Sequence, residues 1–436
     1  MMTRRGWSAA VLVLAMLVGC SGPLDEDGNP RKVRQEKPYE APYTELSLST
    51  QSSEVRTVQL HRQGDESVIP VAFLGERGQV QLDFDLLGDR SRPLQVYFYH
   101  ADRNWKRDLI PVEYLTSFQR DEITDYQLSQ GTDVRYVHYS YRFPNQSIGF
   151  EVSGNYILRV SEAGDEEAVL FERPFFVAER SVPVTLGIEP VLISGRGYRS
   201  DQPVALLTPP ANAQADIYNY GVCFVQNGVF SQARCSDRPF IASSPGWQFY
   251  LEPRAAFPPA NALYNLNLAR IQTGPEIEAT NTVTSPYEVY LEPDYENFPD
   301  GDLGQLLNGQ ILVSDANTGT PTPDINADYA LTYFRFVPVD GAVPGRVYVT
   351  GSFNGWSIDP DYELDWIAED GWYQGTALIK QGVYEYAYAA SDADVARRFR
   401  QNGVPRFQNE YTALVYYEDV ALGSDRLIAV QGAQTF

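Results

Sequence analysis

The chain has 436 residues and a formal net charge of −23, with 43% hydrophobic and 21% charged residues. So acidic a chain lacks the basic surface that a phosphate backbone needs, which argues against nucleic acid as a partner and against broad adsorption to anionic lipid. The apolar content is that of a globular protein, and the length allows about three domains.

The N-terminus opens with Arg4 and Arg5, followed by an apolar run from Ala9 to Val18. That run is shorter than the ~20 apolar residues a membrane span requires. A basic start, a short apolar centre and a small-residue region predict a secretory signal over residues 1–19. Leu17-Val18-Gly19-Cys20 resembles the bacterial lipobox. The resemblance implies cleavage before Cys20, lipid attachment at its thiol and a membrane anchor that gains about 0.8 kcal/mol per buried CH₂. Ser21 stands where an aspartate would mark inner-membrane retention, so the expected site is the outer membrane. Residues 20–43 are polar, charged and proline-containing. They cannot bury enough apolar surface to offset ordering, and predict a flexible tether.

From there on, period-two alternation recurs. Val80, Leu82, Phe84 and Leu86 share one face, with Gln81, Asp83 and Asp85 on the other. Tyr139, Tyr141 and Phe143 alternate with His138, Ser140 and Arg142, and Tyr384, Tyr386 and Tyr388 with Glu385 and Ala387. Such runs, separated by Gly, Pro, Asn and Asp clusters, predict antiparallel sheets with one solvated face. The 29 tyrosines fit half-buried sheet surfaces. Short helices are expected at Pro111–Phe118 and Asp392–Arg400. The predicted fold class is all-β, with tandem Ig-like β-sandwich domains and minor short helices. Glu179–Pro183 reads as a joint and Asn317–Asp328 as turn-rich, which divides the body into 44–180, 181–330 and 331–436.

With Cys20 assigned to lipid, Cys223 and Cys235 are the two remaining thiols of an oxidising compartment. They flank Gln226-Asn227-Gly228, a strong hairpin signal, and predict a disulfide that stabilises by about 3 kcal/mol. No catalytic constellation emerges. His61, His100 and His138 lack metal-ligand spacing, so each reads as a packing or surface hydrogen-bonding residue. No Gly-x-Ser-x-Gly or phosphate-cradling motif occurs. Gly195-Arg196-Gly197 and Asp300-Gly301-Asp302 read as turns. The chain is expected to be a non-enzyme with no cofactor and no metal.

Two stretches carry a resemblance. His100-Ala101-Asp102-Arg103-Asn104-Trp105, Glu113-Tyr114-Leu115, Glu122-Ile123, Tyr136-Val137-His138-Tyr139, Phe143-Pro144-Asn145 and Ser153 to Val160 come in an order that resembles the first domain of the type 9 secretion system plug proteins of Bacteroidota. Gln226-Asn227-Gly228, Glu410-Tyr411-Thr412, Val415-Tyr416-Tyr417 and Asp425 to Ile428 extend it. Ala101 and Glu172-Arg173 depart from the pattern, which commonly has a cysteine and paired arginines there. The resemblance implies a non-enzymatic body that closes a large outer-membrane β-barrel translocon from the periplasmic side, with Trp105 and Tyr114 structural. The second stretch, Val347 to Trp356 with Trp372 and Gly382 to Tyr386, resembles the glycogen-binding modules of starch-active enzymes. It implies an Ig-like domain and, as the alternative function, carbohydrate binding with Trp356 as the stacking residue. Ala387 stands where those modules place a lysine.

Overall fold

The computed structural model describes Leu48 and residues 51–193, 199–209, 217–241, 246–258, 263–297, 307–319, 321–401 and 409–435. The signal peptide, Cys20, the tether and the two predicted turns at 195–197 and 300–302 lie outside them.

The first domain follows its alternation. Strands β1 (Val55–Arg62), β2 (Val71–Phe73), β3 (Val80–Leu87), β4 (Leu94–Ala101), β5 (Arg120–Ile123), β6 (Asp125–Leu128), β7 (Tyr136–Phe143), β8 (Gly154–Glu162) and β9 (Val169–Ala178) form two sheets. Their orders are β1-β3-β7-β6 and β2-β9-β8-β4-β5. The apolar faces meet in an aromatic core. Phe84 stacks on Tyr139 at 5.1 Å, and Phe98, Phe143 and Phe175 meet at 5.0 to 5.9 Å. The expected helix at Pro111–Phe118 is a single turn, α1 (Pro111–Tyr114), because Leu115 turns extended and bridges to Phe150. Tyr114 is buried and its hydroxyl donates to the Phe98 carbonyl at 2.8 Å.

The second domain begins with β10 (Val184–Leu192), β11 (Arg199–Leu207), β12 (Tyr220–Gln226), β13 (Arg234–Ser236), β14 (Phe240–Ile241) and β15 (Trp247–Tyr250). The chain then leaves it to build the third domain. That domain comprises β16 (Tyr264–Asn267), β17 (Ile277–Asn281), β18 (Tyr287–Leu291), β19 (Asp294–Tyr295), β20 (Leu312–Val313), α2 (Pro323–Asn326), β21 (Tyr329–Val337), β22 (Val347–Gly351), β23 (Glu363–Ile367), β24 (Trp372–Lys380), β25 (Gly382–Ala390) and α3 (Ala393–Gln401). Its main sheet order is β16-β25-β22-β23-β24-β21-β18-β17. The sheet folds over on itself: Phe334 and Phe336 of β21 meet Tyr386 and Tyr388 of β25 at 5.1 and 4.2 Å. The helix expected over Asp392–Arg400 is α3, shifted by one residue.

The chain returns as β26 (Glu410–Asp419) and β27 (Ser424–Gln434). β26 lies between β12 and β27 in the order β13-β12-β26-β27, opposite β10-β11-β15-β14. Strand pairing therefore crosses the boundary expected at 330. β18 pairs with β21 across 330, and residues 410–434 complete the second domain instead of extending the third. We read the third domain as an insertion in the second. Nor is Glu179–Pro183 a bare joint, because the amides of Glu179 and Ser181 bond to the carbonyls of Leu427 and Ile428.

The first domain packs against both of the others, which also touch each other where Asn308 donates to Glu410 at 3.1 Å, all within the compact unit that begins at Ala41. The outer face of β8 and β9 packs on the second domain, where Ile157, Phe176 and Ala178 join Cys223, Val225, Leu414, Tyr416 and Leu427 in one buried cluster. Trp105 closes that seam, 5.5 Å from the Phe176 ring. The outer face of β3 and β7 meets the third domain.

Candidate functional site: a buried junction and a free side on the first domain

Alternation predicted that Gln81, Asp83, Asp85 and His138 face water. Asp85 is covered by the third domain and His138 is buried beside it, whereas Asp83 and Gln81 are held by contacts within the first domain, Gln81 at the edge of an open cleft. Asp85 is wholly buried, and Lys380, at the end of β24, sends Nζ to its Oδ2 at 2.6 Å. Lys380 Nζ also donates to the Asp324 carbonyl at 2.6 Å and lies 4.2 Å above the Tyr136 ring. Tyr329 completes the carboxylate's shell, donating to Asp85 Oδ2 at 2.6 Å while touching Thr57 Oγ1 at 2.7 Å. His138 Nδ1 sits 2.8 Å from Asp85 Oδ1, and its Nε2 is 3.6 Å from Asp83. His61 reaches the other oxygen of Asp83, also at 3.6 Å. Isolated buried charges are costly, so this chain of opposite charges is what makes their burial tolerable.

Main-chain groups seal the rim. Asp328 accepts from the amides of Asp133 and Val134 at 2.6 and 3.1 Å, and the Tyr136 hydroxyl donates to the Ala327 carbonyl at 2.8 Å. The Asn317–Asp328 stretch is thus a docking segment as well as a turn. All three histidines are buried beside an aspartate, since His100 Nδ1 pairs with Asp108 at 2.7 Å. Among the described residues no group of His, Cys, Asp and Glu side chains is arranged to hold a metal ion.

Protonation in the junction follows from these contacts. Burial opposes charge on His138, but hydrogen bonds to Asp83 and Asp85 outweigh it and push the imidazole up to about 9. Burial raises Asp83, yet hydrogen bonds from His138 and His61 hold it well below the usual carboxylate range. Asp85 is likewise held down, against burial, by the Lys380 charge and the His138 hydrogen bond. The His138 contribution is fully present below its ordinary value of 6.5 and is lost as pH rises through about 9. Asp83 and Asp85 contribute above the ordinary carboxylate range and lose that contribution only in strong acid. The urea midpoint should therefore fall between pH 6.5 and 9.5, and His138→Gln should flatten that slope. Equal slopes in the two proteins would remove His138 from the account.

The other sequence-marked residues are placed as follows. Cys223 and Cys235 are bonded to each other and face one another across β12 and β13. The turn begins at Asn227 and Gly228, both at positive φ, and a short 3₁₀ turn at Phe230–Gln232 follows. Gly228 admits no side chain, because a Cβ there would lie 1.9 Å from the Asn308 carbonyl oxygen. Trp356 is half-buried, and its indole N–H donates to the Gly309 carbonyl at 3.0 Å. The adjoining Gly355 packs against the Arg173 guanidinium, so this loop is a contact between the third and first domains.

The first domain keeps one open side, which takes in part of the outer face of β3 and β7 through Gln81, Ser140 and Arg142. Residues 110–128 hold Ile110, Val112, Phe118, Tyr126 and Leu128, exposed by 48 to 79%. Beside them an open cleft of about 650 Å³ is lined by Asp121, Glu122, Asp125, Tyr141, Arg142 and Asn145, among others. Tyr141 and Asn145 donate to Asp121 Oδ2 at 2.9 and 3.3 Å. Nothing in the alternation marks this side, since its exposed apolar residues look like ordinary strand and helix positions.

Residues 55–179 match the family described as type 9 secretion system plug protein 1st domain. The match starts at the first residue of β1 and ends one residue beyond β9. No curated protein matches the chain. A crystal structure of a hypothetical protein from Parabacteroides merdae is similar at a TM-score of 0.79 and 24% identity, covering 89% of this chain and 99% of that one, which establishes a shared fold. An alkylpurine DNA glycosylase from Pseudomonas fluorescens aligns over 28% of this chain and 30% of its own, at 14% identity and a TM-score of 0.16. That similarity carries no weight. Matched over the whole of its N-terminal sandwich, the chain carries the first domain of the type 9 secretion system plug protein family.

Proposed function

We propose that this protein is a non-enzymatic lipoprotein that closes the outer-membrane translocon of the type 9 secretion system from the periplasmic side. The observation that carries the reading is the family match over residues 55–179. The fold supports it physically. An obstruction must resist deformation, and the first domain is clamped on both sheet faces, by an apolar seam on one and a buried ion pair on the other. Among the described residues no helix is long and apolar enough to cross a membrane, so attachment rests on the Cys20 lipid or on a partner. The acidic surface suits a wet interface that can release.

The test uses the full chain with a C-terminal affinity tag. From solubilised envelopes it should recover an outer-membrane barrel of very high mass, and deleting the gene should admit large hydrophilic antibiotics. Recovery of the protein alone, together with an unchanged permeability barrier, would defeat the proposal. Cys20→Ser should leave the protein soluble after cell lysis, whereas persistent membrane fractionation would count against the lipid anchor.

A further inference from the structure

We propose that the free side of the first domain receives an extended strand of a partner polypeptide, paired to β6, apolar at alternate positions and basic where it passes Asp121, Glu122 and Asp125. Among the described residues β6 is the outer strand of its sheet and pairs only with β7. All four of its residues are exposed. A sheet edge presents outward N–H and C=O groups, and folded proteins usually blunt it with proline, lysine or a bulge. β6 is short and carries Asp125 but has no proline, lysine or bulge, and its register from Asp125 opposite Ser140 to Leu128 opposite Val137 is continuous. At the opposite edge, β1 is committed to the third domain through Thr57 and Gln59.

Side chains select the occupant. Tyr126 and Leu128 alternate on one face of β6, where an added strand would lay its own alternate apolar residues. On the cleft side three carboxylates stand against one guanidinium, and Arg142 Nε is already donated to Gln81 Oε1 at 3.1 Å. That balance favours a lysine or arginine on the incoming strand. A second copy of this chain does not fit, because pairing β6 with β6 would bring two such acidic clefts together. With only four residues of edge the contact is short, as a reversible one must be.

The probes are two synthetic octapeptides of alternating valine and threonine, one with lysine and one with glutamate at two threonine positions, added to the full chain. Hydrogen exchange should slow at residues 125–128 with the lysine peptide, which should bind at least tenfold more tightly than the glutamate peptide. Gln127→Pro should abolish the protection, and Asp125→Lys should narrow or reverse the preference. If Gln127→Pro fails to fold by circular dichroism, Asp125→Lys alone decides. No protection at 125–128, protection elsewhere only, or equal binding of the two peptides overturns the proposal. It goes beyond the plug reading, which is judged separately by co-purification and permeability.

Discussion

Lys380→Met is expected to destabilise the folded chain by about 3–5 kcal/mol, because breaking a buried ion pair leaves an uncompensated charge in the interior. Lys380 and Asp85 side chains are each 1% exposed, so water cannot take over the lost contact. His138 remains beside Asp85 in the variant, and its charge softens the loss without cancelling it. A second change, Asp85→Leu, should recover a large share of the stability, since apolar replacements of both partners are often tolerated. Urea denaturation at pH 7 reads both effects. A single-variant loss under about 1 kcal/mol would mean that the pair is solvated and the junction looser than its geometry implies.

The second large effect concerns the chain's end. A protein truncated after Gln401 is expected to lose the second domain altogether, although residues 181–401 are intact. β26 contributes Tyr411, Ala413 and Val415 to the core of that domain, and Leu414 and Tyr416 to its seam with the first. The truncation removes β27 along with β26 and leaves β12 paired to β13 alone in its sheet. Each large buried side chain lost is worth roughly 1.5–3 kcal/mol, and their sum exceeds the net stability of most domains. Limited proteolysis should cut the truncated protein throughout 181–258. A protease-resistant second domain would instead show that the C-terminal hairpin is an accessory.

The all-β class was legible because burial writes itself into alternation: Val80, Leu82, Phe84 and Leu86 point into one core as their spacing requires. The domain order was not. Nothing local announces that Tyr220 pairs with Tyr417, since the intervening domain has strands of the same kind. The junction was hidden for a related reason. A polar strand face covered by another domain has the same sequence as one covered by water, and Asp83, Asp85 and His138 read as solvated. One signal was present, a lysine closing the apolar run Ala377-Leu378-Ile379 in a chain with only four lysines. The free side at 110–128 was invisible because exposure of an apolar residue depends on what does not cover it.

The detour of the chain through the third domain also sets an order of assembly. A polypeptide delivered from its N-terminus presents β12 with one long edge unsatisfied, and the strand that satisfies it is among the last to arrive. Until then Val222, Phe224 and Trp247 have no complete shelter, a state that invites proteases and self-association and that chaperones exist to guard. The hairpin held by Cys223 and Cys235 closes over only 12 residues, so it can form early and keep β12 in shape while it waits. Folding of the second domain is thus tied to closure of this disulfide, and a chain in which it fails to close should accumulate less of the folded protein.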